Sequence, residues 1–133
     1  MNAGRAAHVV RGFAMLDLLV TFPLALPGWA NVFFDLLYRA TEIVGPVGVR
    51  FGFSELAWLF VHLSGVLGVL WALARLATPT RFLAALDAAG RCAVAVLLVR
   101  ALQEGAPAGL WLFVATELAG AVAQGAVVLR ERV

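Results

Sequence analysis

The chain is expected to be all-α, an integral membrane protein built as an up-down four-helix bundle with an interfacial amphipathic helix after the first span. Three observations carry that expectation. Of the 133 residues, 63% are hydrophobic and only 14% charged, and the mean hydropathy is +0.96. A soluble domain of this length has too little interior to hide so much apolar surface. The apolar residues also fall into runs near the roughly 20 residues, at about 1.5 Å rise each, that cross a bilayer. Finally, short connections between the last three runs force antiparallel neighbours.

The first span is expected over about 9–26. Arg5 and Arg11 ahead of an apolar stretch, with LPGWA after it, have the layout of a signal peptide. Asp17 inside the stretch argues for a retained membrane helix instead, kinked near Pro23. Pro27-Gly28 marks a turn. In the following segment, about 29–44, Val32, Phe33, Leu36, Leu37, Ala40, Ile43 and Val44 recur at helical spacing, with Asp35, Arg39 and Glu42 on another face. Such a segment suits a helix lying in the membrane interface. A glycine-rich loop over 45–54 leads to Ser54, a natural N-cap for a second span over about 55–75. Thr78-Pro79 reads as N-cap and first helical residue of a third span over about 82–103, and Pro107 as a first-turn residue of a fourth over about 108–129. One domain, 1–133, accounts for the whole chain.

Charge and cysteine content narrow the function classes. All ten basic residues are arginines, scattered along the chain with a formal net charge of +2, so no basic patch points to nucleic acid. A lysine-free chain rich in Ala, Gly, Leu and Val also fits a GC-rich coding bias, and the expected location is a bacterial inner membrane. The single cysteine, Cys92, excludes an internal disulfide and multi-cysteine metal motifs, and is expected to be a small core residue. With the N-terminus inside, Arg5, Arg11, Arg75, Arg81, Arg91, Arg130 and Arg132 lie at the cytoplasmic ends, against Arg39, Arg50 and Arg100 outside. That bias predicts both termini cytoplasmic, with Trp29, Trp58 and Trp111 near the outer interface.

The polar residues within the spans carry the remaining information. Counting the helical rise puts Glu117 about 13 Å, His62 about 10 Å and Arg100 about 5 Å below the outer helix ends. Together with Glu55 they form an expected outer pocket, with Glu55, His62, Arg100 and Glu117 as ligand-binding or proton-carrying candidates. A charge at such depth is usually paired or turned toward a cavity. Asp17, Asp87, Arg91 and Gln124 form a second, inner layer with an expected structural role, Asp87 and Arg91 pairing at i, i+4. Small-residue stripes, Glu117-Gly120-Ala121-Gln124 in span four and Gly65-Gly68-Ala72 in span two, permit close helix approach. They are the expected faces for a homodimer or a membrane-protein partner, with membrane lipid as the other partner.

No nucleophile, zinc or phosphate-binding motif is present. No catalytic residues, metal or cofactor are assigned. His8 and His62 fall at opposite ends of the bundle, which argues against bis-histidine haem. The expected function is a non-catalytic accessory subunit, or a module that binds a lipid- or quinone-like ligand in the outer pocket. The alternative is a proton- or ion-coupled small-molecule transporter working as a homodimer.

Overall fold

The computed structural model describes residues 3–44 and 53–130. They form five helices: α1 (Ala3–Ala25), α2 (Trp29–Val44), α3 (Glu55–Ala77), α4 (Arg81–Gln103) and α5 (Leu110–Arg130), with no strand among the described residues. Four of them, all but α2, are long and apolar enough to cross a membrane. Large side chains such as Leu67, Phe82, Leu97 and Val122 are exposed on their outer faces. Apolar faces of that extent need lipid against them, and the chain is an integral membrane protein. At 16 residues, α2 is short of the roughly 20 that a crossing takes.

Each boundary has a local cause. α1 begins at Ala3, earlier than the expected span, because the alanine-rich N-terminal segment continues the helix. Pro23 sits in its last turn, where it offers no N–H to the carbonyl four residues back, and the helix ends two residues later. Gly28, at φ 84°, makes the turn into α2. Ser54 caps α3 as expected, its Oγ accepting from the Ala57 N–H at 3.2 Å. The expected cap on α4 needs correcting. Thr78 instead closes α3 and donates its hydroxyl to the Ala74 carbonyl at 2.9 Å. Pro79 holds Thr78 out of the helical region, so the N-cap of α4 passes to Thr80, which accepts from the Leu83 N–H at 3.2 Å. α4 ends in a Schellman motif. Ala106 N–H reaches the Ala101 carbonyl at 2.9 Å and Gly105 N–H the Leu102 carbonyl at 3.2 Å, with Gly105 at φ 96°. Pro107 does not start α5 directly. A tight turn of i→i+3 bonds from Leu110, Trp111 and Leu112 intervenes.

The bundle is assembled from two antiparallel pairs, α1 with α3 and α4 with α5. Glycine sets the spacing of the first pair. A Cβ at Gly65 would run into the backbone of Leu24 and Ala25, and one at Gly68 would stand 2.5 Å from Thr21 Cγ2, so the α3 backbone lies against α1 as only glycine allows. At one end Ala6, Val10, Ala84 and Val127 close a small apolar core. At the other, Phe34 of α2 packs edge-on against Phe53 and Trp58, with centroids 5.3 and 6.1 Å apart. The glycine-rich loop, except Phe53 and Ser54, lies outside the described residues, as do Arg50, Arg132 and the side chain of Glu42. Cys92 is exposed on the lipid-facing side of α4 rather than in the core. The helix turns its buried face, Ala84, Asp87, Arg91 and Ala95, the other way.

Candidate functional site

Five ionisable side chains from four helices meet between the two pairs. Asp17 comes from α1, Arg75 from α3, Asp87 and Arg91 from α4, and Glu117 from α5. Arg91 bonds to a carboxylate through each of its three nitrogens. Nε donates to Asp87 Oδ2 at 2.8 Å, Nη1 to Glu117 Oε2 at 3.1 Å, and Nη2 to Asp17 Oδ2. Arg75 donates to the same Asp17 oxygen and faces Asp87 Oδ1 at 2.8 Å. Asp87 Oδ1 also accepts the indole N–H of Trp71 at 3.0 Å. The guanidinium carbons of Arg75 and Arg91 lie 5.5 and 5.2 Å from the ring centres of Trp71 and Phe13, within cation–π range.

This geometry depends on one glycine. A Cβ at Gly120 would stand 2.6 Å from Arg91 Cδ, so the arginine stem lies flat across the α5 backbone. Charges at this depth persist because every carboxylate has a cationic partner. Gln124, one turn further along the same stripe, is fully buried, and neither amide atom has a hydrogen-bond partner among the described residues.

The expected layers are rearranged accordingly. Asp17, Asp87 and Arg91 come together, and the i, i+4 pair is present. Glu117 joins them instead of an outer pocket. The expected outer group is not assembled. Arg100 is exposed and pairs with Glu104, its i, i+4 neighbour, at 3.0 Å. Glu55 is exposed in the first turn of α3, where a negative charge suits the helix dipole. His62 Nδ1 bonds to the Leu24 carbonyl at 2.8 Å, an acceptor left over at the C-terminus of α1, and its ring stacks on Trp58. The expected partner-binding stripes are spent inside the chain, Gly65 and Gly68 against α1 and Gly120 against Arg91. Arg75, expected among the cytoplasmic-end charges, is fully buried in the cluster. Its signal was present in the sequence. Gly65, Gly68, Ala72 and Arg75 fall at i, i+3, i+7 and i+10 on one helix face.

Beside the cluster lies a cavity of about 760 Å³ between the two helix pairs. Asp17, Asp87, Arg91 and Glu117 form its polar end. From there it extends past Val20, Val94 and Leu112 toward the end where α1 finishes and α5 begins. Phe13, Trp71 and Phe113 supply aromatic wall and α2 contributes Leu37. No three His, Cys, Asp or Glu side chains among the described residues are arranged to hold a metal. A long apolar chamber with one polar end can accommodate a molecule that has an apolar body and a polar head. The chain matches no protein-family model, no curated protein and no solved structure at a significant level.

Proposed function

We propose that this chain is a non-catalytic membrane ligand-binding module that holds one amphipathic, membrane-soluble molecule between its two helix pairs. The observation that carries the reading is the cavity of about 760 Å³, mostly apolar and ended by the Asp17–Arg91–Glu117 charges. The apolar body lies among Phe13, Val20, Val94 and Phe113, and the head meets the charges. A role as accessory subunit is compatible with this, and any partner then contacts the lipid-facing helix sides, since the small-residue stripes are occupied.

We place the protein in a bacterial inner membrane with both termini cytoplasmic. Arg5, Arg11, Arg81 and Arg130 lie at the end bearing the N-terminus, against Arg39 and Arg100 at the other, and Arg75 and Arg91 no longer count as loop charges.

Gly90 provides the test. It lines the cavity, and a Cβ there meets nothing within 4 Å, so Gly90→Phe fills the chamber without a backbone clash. Extraction and mass spectrometry of molecules retained by the full-length protein should recover a stoichiometric amphiphile from the wild type and not from Gly90→Phe. Identical retained profiles from both proteins would refute the reading.

The second reading, a proton- or ion-coupled transporter acting as a homodimer, is favoured by one feature, the excess of carboxylates over guanidiniums in the cluster. Reconstituted vesicles carrying a pH gradient would then accumulate substrate with the wild type and not with Glu117→Gln.

A further inference from the structure

The polar end of the cavity has a definite sign. Three carboxylates face two guanidiniums, which leaves one formal negative charge when all are ionised. Asp17 and Glu117 are the two more exposed members of the cluster. The side chain of Arg75 is 0% exposed and that of Arg91 7%, against 25% for Asp17 and 20% for Glu117. Both arginines crowd onto Asp17 Oδ2, and Arg91 takes Glu117 Oε2. Among the described residues, the ion pairs of these two acids run through Asp17 Oδ2 and Glu117 Oε2.

Three other donors along the chamber wall are engaged. Thr21 donates its hydroxyl to the Asp17 carbonyl at 2.8 Å, Thr116 to the Phe113 carbonyl at 2.9 Å, and Trp71 its indole N–H to Asp87. A head that needs donors, such as a phosphate, a carboxylate or a quinone carbonyl, finds these hydroxyls and the indole committed and meets guanidiniums already paired with carboxylates. A head that brings positive charge finds acceptor oxygens, and aromatic faces at Phe13 and Trp71 suited to a cation.

We infer that the cavity selects amphiphiles whose head carries a single positive charge, an alkylammonium-type group held between Asp17 and Glu117. This rests on the ligand-binding reading above and narrows it to one chemical class. The bound head brings the cluster's formal charge to zero, with Asp87, Arg75 and Arg91 keeping their mutual bonds.

The test uses three probes with the same ten-carbon tail: decyltrimethylammonium, decyl maltoside and decyl sulfate. Each is titrated calorimetrically into the full-length protein in nanodiscs of uncharged lipid, with protein-free nanodiscs subtracted. Decyltrimethylammonium should bind at least about tenfold more tightly than the other two, a difference of roughly 1.4 kcal/mol. Glu117→Gln, checked for helicity and monodispersity, should remove most of that preference. Gly90→Phe should abolish saturable binding of all three. Equal affinities for the three probes in the wild type, or stronger binding of the sulfate, would overturn the cationic assignment and leave the ligand-binding reading standing. Should no probe bind saturably, or Gly90→Phe have no effect, both fail together.

Discussion

Arg91 donates to carboxylates on α1, α4 and α5, so its removal leaves acids on three helices without their partner. Arg91→Leu should destabilise the protein by about 3–5 kcal/mol, the range for orphaned buried charges. Deleting Asp87 as well returns the cluster to one excess negative charge. The Asp87→Leu, Arg91→Leu double variant should therefore recover part of the loss, read as the melting temperature in a fixed detergent. Strictly additive losses would mean that the two residues are not coupled. Glycine offers a matched comparison on α5. Gly120→Ala drives a methyl into the Arg91 stem and should cost about 1–3 kcal/mol. Gly125→Ala, with nothing within 4 Å of its Cβ, should be neutral or slightly stabilising. Much of this cluster was legible as types and spacings, Asp17, Asp87 and Arg91 among them. Glu117 was drawn toward the wrong partner because counting rise along a helix locates Cα atoms, not the ends of side chains. An arginine stem reaches more than one helical turn, far enough for Arg91 to meet an acid that lies closer to the opposite end of the bundle.

At the scale of elements, boundaries were set by backbone chemistry that sequence positions only partly reveal. Ser54 acts as the sequence suggests, whereas the threonine pair around Pro79 divides its work, Thr78 closing α3 and Thr80 opening α4. Both threonines precede an apolar run, and only the local conformation ahead of a proline tells them apart. Thr80→Ala should cost about 1 kcal/mol through the lost N-cap. Thr78→Ala should cost less, since the α3 terminus keeps its backbone bond from Thr78 N–H to the Ala74 carbonyl. Paired thermal melts of the two variants check the order. His62 illustrates a related limit. A histidine within a span suggests chemistry, yet its partner is the carbonyl of Leu24, 38 positions away, exposed only because α1 ends there. No periodicity in α3 encodes that.

For the whole molecule, four spans and a fifth amphipathic helix could be read from hydropathy and turn residues. The grouping of helices into two pairs, with a chamber between them, could not. That arrangement follows from the close approach of α3 to α1 at Gly65 and Gly68 and from five charges spread over four helices. Topology has its own prediction. In a Cys92→Ala background, a cysteine at Gln103 should react with an impermeant thiol reagent in intact cells, and cysteines at Gly4 and Thr78 should not. The reverse pattern would invert the orientation.

A chamber that receives a selected amphiphile rather than bulk lipid should reveal its occupant by photochemical capture. p-Benzoylphenylalanine would replace Phe113, which lines the chamber, or Phe60, which is exposed on the outer face of α3. After irradiation in the native membrane, the adducts are identified by mass spectrometry. Position 113 should capture predominantly one amphiphile, enriched well beyond its share of the membrane, while position 60 captures lipid in proportion to its abundance. The same lipid distribution at both positions would mean that the chamber holds bulk lipid and selects no amphiphile.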